Sequence, residues 1–415
     1  MTGAACSARL SGRATLALLL PSLAAGGVGR ATLALARAFV DAGHRVDLVL
    51  CRAEGSYLDA VPAGVNLVTL RRESRLIARM RLVRMDPGGV GALLRPALLP
   101  TRPAPVQPYL ADLTRYLQQV RPAVLLSAKT PTNLLALWAR RLSSVATRVV
   151  VAEHAQLSQS IARSRKWRWR YIAPLVARSY PQADAIVCVS DGVADDLAHT
   201  ARLPRARIHT IHNPVVTPEL AARAAEPPPH SWLEDRAGPP VVLAAGRLVA
   251  EKNFSLLLRA FAQLRSQRPV RLLILGEGRE RKRLEGLARE LGIAADVALP
   301  GYVANPYAAF ARAHLFALSS DSEGLPTVLI EALACGCPVV STDCPSGPAE
   351  ILARGRYGTL VPPGDAAALA QGMARTLDAP PPAQELRRRG EAFSLESSAR
   401  RYCALVERLS QPATS

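Results

Sequence analysis

The stretch "LLLPSLAAGGVGRATLALARAFVDAGHRVDLVL" (residues 18–50) admits two readings. Arg9 and Arg13 upstream, an apolar run, and the small residues Ala24 and Ala25 have the layout of a secretory signal with its cleavage site. The other reading is the first strand of a folded domain entering a glycine turn. The sequence that follows favours the second. The apolar run 14–21 leads into Gly26, Gly27, Val28 and Gly29, after which Leu33, Ala36, Phe39 and Val40 recur at helical spacing as far as Gly43. Residues 45–50 are strand-like again. Strand, glycine turn, helix and strand make a βαβ unit, the opening of a Rossmann-like domain. Cleavage after Ala25 would remove the first strand of that sheet.

In such a unit the glycines let the backbone approach a ligand closely. The helix behind them offers free N–H groups and the positive end of its dipole to a phosphate. A turn that merely redirects the chain has the same sequence, so the motifs downstream must carry the functional argument.

Further buried strands are predicted over 65–70, 123–128, 149–152 and 185–189, with helical stretches such as 134–142 and 193–199 between them. That alternation makes a doubly wound parallel sheet. Residues 226–240, "EPPPHSWLEDRAGPP", break the pattern and read as a linker. A second series follows over 241–245, 271–275, 297–299, 315–318 and 339–341. Its first helix carries Phe254, Leu257, Leu258, Phe261 and Leu264 on one face. The predicted organisation is therefore a first Rossmann-like domain over 1–225, a linker over 226–240, a second domain over 241–390, and a helix over 391–415 packing back on the first domain. Ligands of such a pair are expected in the cleft between the C-terminal sheet edges.

A chain of 415 residues with 49% hydrophobic side chains has ample core for two domains. No apolar run reaches the roughly 18 residues a spanning helix needs. The 52 Lys and Arg against 33 Asp and Glu give a net charge of +19, which suits a polyanionic partner without selecting one. Of the seven cysteines, Cys51 and Cys188 fall in apolar strands, while Cys335, Cys337 and Cys344 lack the CxxC spacing and nearby histidine of a zinc site. That usage fits a reducing cytosol.

Two segments carry chemistry. "GRLVAEKN" (246–253) follows the first strand of the second series, and its Arg247 and Lys252 combine a planar fork with a point cation suited to a diphosphate. "SSDSEGLPTVLIEALACGCPVV" (319–340) places Glu323 before Gly324, Pro326 in a predicted first helical turn, and Glu331 on the helix. Two carboxylates eight residues apart on a helix would be about 12 Å apart, too far for a glycosidase acid/base pair. Two separate binding roles are expected.

These segments resemble the E-x7-E region of family 4 (group 1) retaining glycosyltransferases of the GT-B fold. The likeness continues through "AEHAQLS" (152–158), "VCVSDGVADDL" (187–197), "IHNPV" (211–215), "LLILGEGRER" (272–281), "LPGYV" (299–303), "SGPAEIL" (346–352) and "YGTLVPPGD" (357–365). The fold class it implies is α/β: two Rossmann-like doubly wound parallel-sheet domains facing a cleft. It implies that Arg247 and Lys252 hold the diphosphate of a nucleotide sugar, and that Glu323 bonds sugar hydroxyls with help from the amides of Gly324, Leu325, Pro326 and Thr327, although Pro326 itself has no N–H to give. Glu331 would take the ribose, Tyr302 and Val303 would meet the base, and His154 would stand near the donor sugar. Gly26 and Gly27 would lie over the phosphates. Glu153 departs from what many members show before that histidine.

The same resemblance implies retention of configuration by front-face attack, in which the departing phosphate takes the acceptor's proton. No D-x-D motif occurs, so no metal and no cofactor is expected beyond the donor, with UDP the most frequent base in the family. Six arginines over 71–84, interleaved with Leu76, Ile77, Met80 and Val83, and "RSRKWRWRY" over 163–171 suit an anionic lipid surface. A lipid-linked or lipopolysaccharide-type acceptor reached from the cytoplasmic face of the inner membrane is the expectation. The competing readings are a GT-B-fold epimerase and a basic nucleic-acid-binding protein, although no nucleic-acid module is recognisable.

Overall fold

The computed structural model describes residues 14–24, 26–85, 91, 106–164, 166–235 and 237–411. Arg9, Arg13, Ala25 and Arg165 lie outside the described residues, as do the side chains of Arg75 and Arg84. The chain forms two compact units, one reaching to Pro214 and resuming at Leu395, the other spanning Val215–Ser394.

The first unit is built on strands β1 (Thr15–Leu20), β2 (Arg45–Leu50), β3 (Val65–Thr69), β4 (Val124–Ala128), β5 (Arg148–Glu153), β6 (Ala185–Cys188) and β7 (Ile208–Thr210). Every pairing is parallel, in the order β3-β2-β1-β4-β5-β6-β7. Helices cover both faces of a parallel sheet, so its inner strands read as unbroken apolar runs rather than alternating ones. β1 and β4 show this directly, since residues 16–20 and 124–128 are all buried. The helix Gly27–Asp41 presses Leu33, Leu35, Ala36 and Phe39 into the same core.

The second unit repeats the plan with β8 (Val241–Ala245), β9 (Arg271–Leu275), β10 (Val297–Gly301), β11 (Leu315–Leu318), β12 (Val339–Thr342) and β13 (Thr359–Val361), all parallel, in the order β10-β9-β8-β11-β12-β13. Its helix Phe254–Arg265 buries the apolar stripe expected of it, Phe254, Leu257, Leu258, Phe261 and Leu264.

Two expectations need correction, and two strands were missed. Residues 65–70 do not form a buried strand, because β3 is an edge strand with Leu67 40% exposed. β7 and β13 went unseen because three residues are too short to show a period, and β7 reads only Ile-His-Thr. The largest correction concerns 215–240, which is neither the tail of the first domain nor a free linker. Arg223 donates to the Ala304 carbonyl at 2.7 Å and lies over the Tyr307 ring, and Asn305 Nδ2 donates to the Arg223 carbonyl and to Glu226. Arg271 also sits over Trp232. The segment, which contains the short helix Leu220–Ala225 and a single 3-10 turn at Ser231–Leu233, is a strap bound to the second unit.

Residues 391–394 likewise stay with the second unit, where the Phe393 carbonyl accepts from both Val215 and Val216 amides. The helix Leu395–Ser410 belongs to the first unit. Tyr402, Cys403, Leu405 and Val406 enter its core, and Ser398 Oγ donates to the His212 carbonyl at 2.9 Å. The six described cysteines are all buried free thiols, and burial pushes those of Cys335 and Cys344 up to about 12.

Candidate active site

In an open parallel sheet, the loops leaving two neighbouring strands diverge where the strand order reverses, which opens a crevice at the C-terminal edge. In the second unit this point lies between β8 and β11. The segment after β8 is "GRLVAEKN", and the segment after β11 is "SSDSEGLP". The two segments singled out from sequence therefore meet where the strand order of the second sheet leaves room for a ligand.

They are tied together by specific bonds. Lys252 Nζ lies 2.5 Å from Glu323 Oε1, which also accepts from Ser320 Oγ at 2.6 Å. Ser319 Oγ donates to the Lys252 carbonyl at 2.9 Å, and the Asp321 amide donates to the Glu251 carbonyl at 2.9 Å. Asn253 has a left-handed backbone (φ 42°) and a double role. Its Oδ1 accepts from the Leu256 amide to cap the helix Phe254–Arg265, and its Nδ2 donates to Asp321 at 2.8 Å. Such a cap contributes about 1 kcal/mol to the helix, and here it also fixes the distance between the two loops.

The β8 loop is shaped by a near collision with the β9 loop. A Cβ on Gly276 would sit 1.9 Å from the Gly246 carbonyl oxygen, and one on Gly278 2.3 Å from that of Leu248. The amides of Gly246 and Leu248 donate to Leu275 and Glu277 across this contact. With the backbone so held, the Lys252 side chain passes over Gly246 towards Glu323. Arg247, between the two anchored residues, is exposed, and among the described residues nothing pairs with its guanidinium. The local arrangement is thus one neutralised ion pair beside one open cation. A planar fork of this kind accepts two oxygens of a phosphate at once.

Glu323 sits in the loop, while Glu331 lies within the helix Thr327–Ala334 and is only 2% exposed. The two carboxylates occupy different environments. Pro326 does not enter the first turn as expected. It stands one residue before the helix with ψ 96°, and Thr327 begins it. Gly324, Leu325 and Pro326 are buried and Thr327 is half-buried. Ser346 Oγ holds their backbone from behind by donating to the Gly324 carbonyl at 2.8 Å. Tyr302, 62% exposed, and Val303 follow β10, two strands from β8 on the same sheet edge and on the order of 10 Å away. Among the described residues no group of three or more His, Cys, Asp or Glu is placed to hold a metal ion.

The first unit presents its own crevice, between β1 and β4. Gly26 (φ 143°) and Gly27 are exposed there, at the start of the helix Gly27–Asp41, whose first turn holds no acidic residue. That loop rests on the next one, where a Cβ on Gly55 would strike the Leu23 carbonyl at 2.2 Å. His154 follows β5. Its ring is partly covered, and its Nδ1 is buried with no hydrogen-bond donor or acceptor opposite it among the described residues. Burial, with the nearby Lys129 charge, lowers its pKa to about 4, so the ring is neutral at pH 7. The unfolded chain would take up a proton near pH 6.5 that the folded ring refuses. Stability contributed at higher pH is therefore lost as pH falls from about 6.5 towards 4. Urea unfolding across that window should show the loss in the natural protein, and His154→Gln should flatten the slope.

Sequence reasoning missed Asn253, Ser319, Ser320, Asp321 and Ser346. Asn253 carried a signal, being an asparagine immediately before an amphipathic helix. Ser319, Asp321 and Ser346 carried none, since their bonds run between segments some 20 to 70 positions apart, and Ser320, whose hydroxyl bonds Glu323 three residues on, looked like any other loop serine.

Two doubly wound parallel-sheet domains with paired cations and carboxylates at a reversal of strand order define an α/β protein of the GT-B class. Known proteins agree. The family described as "Glycosyl transferases group 1" matches residues 233–393, and "Glycosyltransferase Family 4" matches residues 25–218. The chain belongs to the group 1, family 4 glycosyltransferases with the GT-B fold.

The N-acetylgalactosamine-N,N'-diacetylbacillosaminyl-diphospho-undecaprenol 4-alpha-N-acetylgalactosaminyltransferase of Campylobacter jejuni is 34% identical over 49% of this chain and 53% of its own length. LpsE of Rhizobium meliloti, a lipopolysaccharide core biosynthesis glycosyltransferase, is 33% identical over 48% of this chain and 54% of its own. The chain thus spans about half the length of these curated relatives. Among solved structures, the lipopolysaccharide outer core galactosyltransferase WaaB in its apo form superposes with a TM-score of 0.67 at 20% identity, covering 94% of this chain and 99% of that one. Anabaena HepE in complex with UDP and glucose does so with a TM-score of 0.67 at 18% identity, covering 96% and 97%.

Proposed function

We propose that this protein transfers a sugar from a nucleotide diphosphate sugar to a glycan or lipid-linked acceptor in lipopolysaccharide or other cell-envelope polysaccharide synthesis, with retention of configuration. The observation that carries this reading is the Lys252–Glu323 pair at 2.5 Å beside the open Arg247, spanning the reversal point of the second sheet. Negative charge grows on the departing diphosphate as the sugar–oxygen bond breaks. Cations already fixed beside it stabilise that state without reorganising. Arg247 takes the phosphate oxygens. Lys252 exchanges part of its bond to Glu323 for the diphosphate, and this frees a Glu323 oxygen for a sugar hydroxyl. Glu331, Tyr302 and Val303 are assigned to the nucleoside, and Gly26, Gly27 and His154 to the donor side of the first unit.

A neutral His154 can share a hydrogen bond with a sugar hydroxyl without adding charge. No side chain is assigned as a nucleophile, and the cationic pair is assigned the role a metal ion plays in other transferases. UDP is the proposed base, as in the HepE complex.

Thermal-shift screening of nucleotide sugars, followed by mass spectrometry of lipid extracts incubated with the best binder, tests the proposal. A donor that stabilises the protein and a sugar-extended lipid or glycan support it. Donor turnover to an epimerised nucleotide sugar with no acceptor would establish the epimerase reading instead. Glycosidic products of inverted configuration would remove the retention claim.

The acceptor proposal has a surface to match. On the helix Arg75–Met85, Ala78 and Leu82 face inward, while Leu76, Ile77, Met80 and Val83 are 40–68% exposed among arginines. Trp167 is 47% exposed beside the exposed Arg163 and Lys166. Exposed apolar residues ringed by cations suit a leaflet of anionic lipid. Among the described residues no helix is long and apolar enough to cross a membrane. We expect binding to phosphatidylglycerol vesicles at low salt that weakens at least tenfold in Arg163→Glu/Lys166→Glu. Indifference to such vesicles would dismiss the membrane arm alone.

A further inference from the structure

The Glu153 carboxylate is the most thoroughly enclosed charge in the first unit outside the residues already given a role. It is 4% exposed at the end of β5 and accepts from Tyr180 OH, from Asn133 Nδ2 at 3.1 Å and from Thr130 Oγ1 at 3.1 Å. Asn133 extends the set. Its Nδ2 also reaches the Ala152 carbonyl at 3.0 Å and Tyr180 OH at 3.0 Å, and its Oδ1 accepts from Ser127 Oγ at 2.8 Å. The Ala152 carbonyl accepts in addition from the Lys129 amide, and the Asn133 amide donates to the Lys129 carbonyl. Lys129 is held at φ 76°, a left-handed conformation costly for a residue with a Cβ.

The network therefore clasps the ends of β4 and β5, and the residues that follow those ends in the chain are Lys129 and His154. A buried carboxylate is a poor way to gain stability, since an apolar or amide side chain would cost less desolvation.

We propose that Glu153 is a positioning residue, whose ionised carboxylate holds the Thr130–Asn133–Tyr180 clasp and thereby sets His154 and Lys129 at the edge of the first sheet. The inference rests on the proposed donor-side role of His154. Only the ionised form accepts from all three donors at once. A proton on it would compete with the Tyr180 hydroxyl and slacken the clasp.

Burial drives its pKa up to about 7 against the pull of Tyr180, Thr130 and Asn133, and Asp196 adds to the rise. The other titratable groups around it stay fixed across neutrality. Tyr180 and Cys188 are held well above their ordinary values and His154 at about 4.

The test uses the full chain and needs no substrate in its first arm. The ring signals of His154, assigned by their absence in His154→Gln, should shift with a midpoint near pH 7 that reports Glu153 rather than the imidazole itself. Glu153→Gln keeps the shape of the side chain but does not titrate, and should abolish that midpoint. Tyr180→Phe removes a donor to the carboxylate and should move the midpoint upward by about one pH unit. The second arm follows kcat against pH with the best donor. The acidic limb near pH 7 should vanish in Glu153→Gln and move upward in Tyr180→Phe.

An unchanged His154 midpoint in both variants overturns the proposal. So does a kcat–pH profile that is merely scaled down in both. Absence of any turnover alongside the expected His154 shifts would instead count against glycosyl transfer and leave the clasp standing.

Discussion

Lys252→Ala is expected to lower kcat by about 100- to 1,000-fold, the usual loss when one preorganised donor is taken from a developing anion. The structure adds a second reason. Lys252 is bonded to Glu323, both being largely covered, with side chains 19% and 11% exposed. Among the described residues, removing the amine leaves a carboxylate with Ser320 Oγ alone to answer it, which on the proposed reading would repel an incoming diphosphate. Glu323→Ala should also be severe, but the double variant should lose far less than the product of the two, because the residues act as a unit. Steady-state kinetics on the four proteins decide the matter, and multiplicative losses would show that the pair does not work together. Arg247→Lys separates the forked contact from simple charge: retention of the cation without the fork should raise KM for the donor more than it lowers kcat.

Gly276→Ala is expected to destabilise the second unit by about 3 kcal/mol or more, at the upper end of what single substitutions do. The added Cβ would fall 1.9 Å from the Gly246 carbonyl oxygen, a backbone atom that has nowhere to retreat because the Gly246 amide is bonded to Leu275. Gly276 itself sits at φ 140°, which an alanine resists. Urea unfolding should show the loss, and any protein that does fold should have weakened donor binding, because the displaced loop carries Arg247. Gly286→Ala, in a helix where a Cβ meets nothing within 4 Å, is the control, and should be neutral or slightly stabilising. Equal stability of the two variants would mean that the loops do not touch as described.

The legible parts of this fold are those whose signal is local. The opening βαβ unit, the parallel strands with buried flanks and the helix Phe254–Arg265 could all be read from runs and periods, since a parallel strand covered on both faces must be apolar throughout. Arg247, Lys252 and Glu323 were legible as chemistry because cations and a carboxylate follow strands at loop positions. Glu331 was legible as a residue but not as an environment, since its near-complete burial depends on what packs against the helix Thr327–Ala334. The strap 215–240 was misread because prolines and broken periodicity mark a connection, while what the connection lies against is decided by Ala304, Asn305, Tyr307, Arg312 and Arg271, far along the chain.

The sequence by itself determined the class of fold, two series of alternating strands and helices, and which residue types could grip a diphosphate. Periodicity and turn chemistry are properties of neighbours along the chain, and they survive without knowledge of contacts. Only the tertiary structure decided that Lys252 meets Glu323, that a serine pair and an asparagine lock their loops, and that Glu153 lies inside a clasp beneath His154. Those relations arise where strand order reverses in each sheet, and strand order is set by packing between distant segments, which no local pattern records.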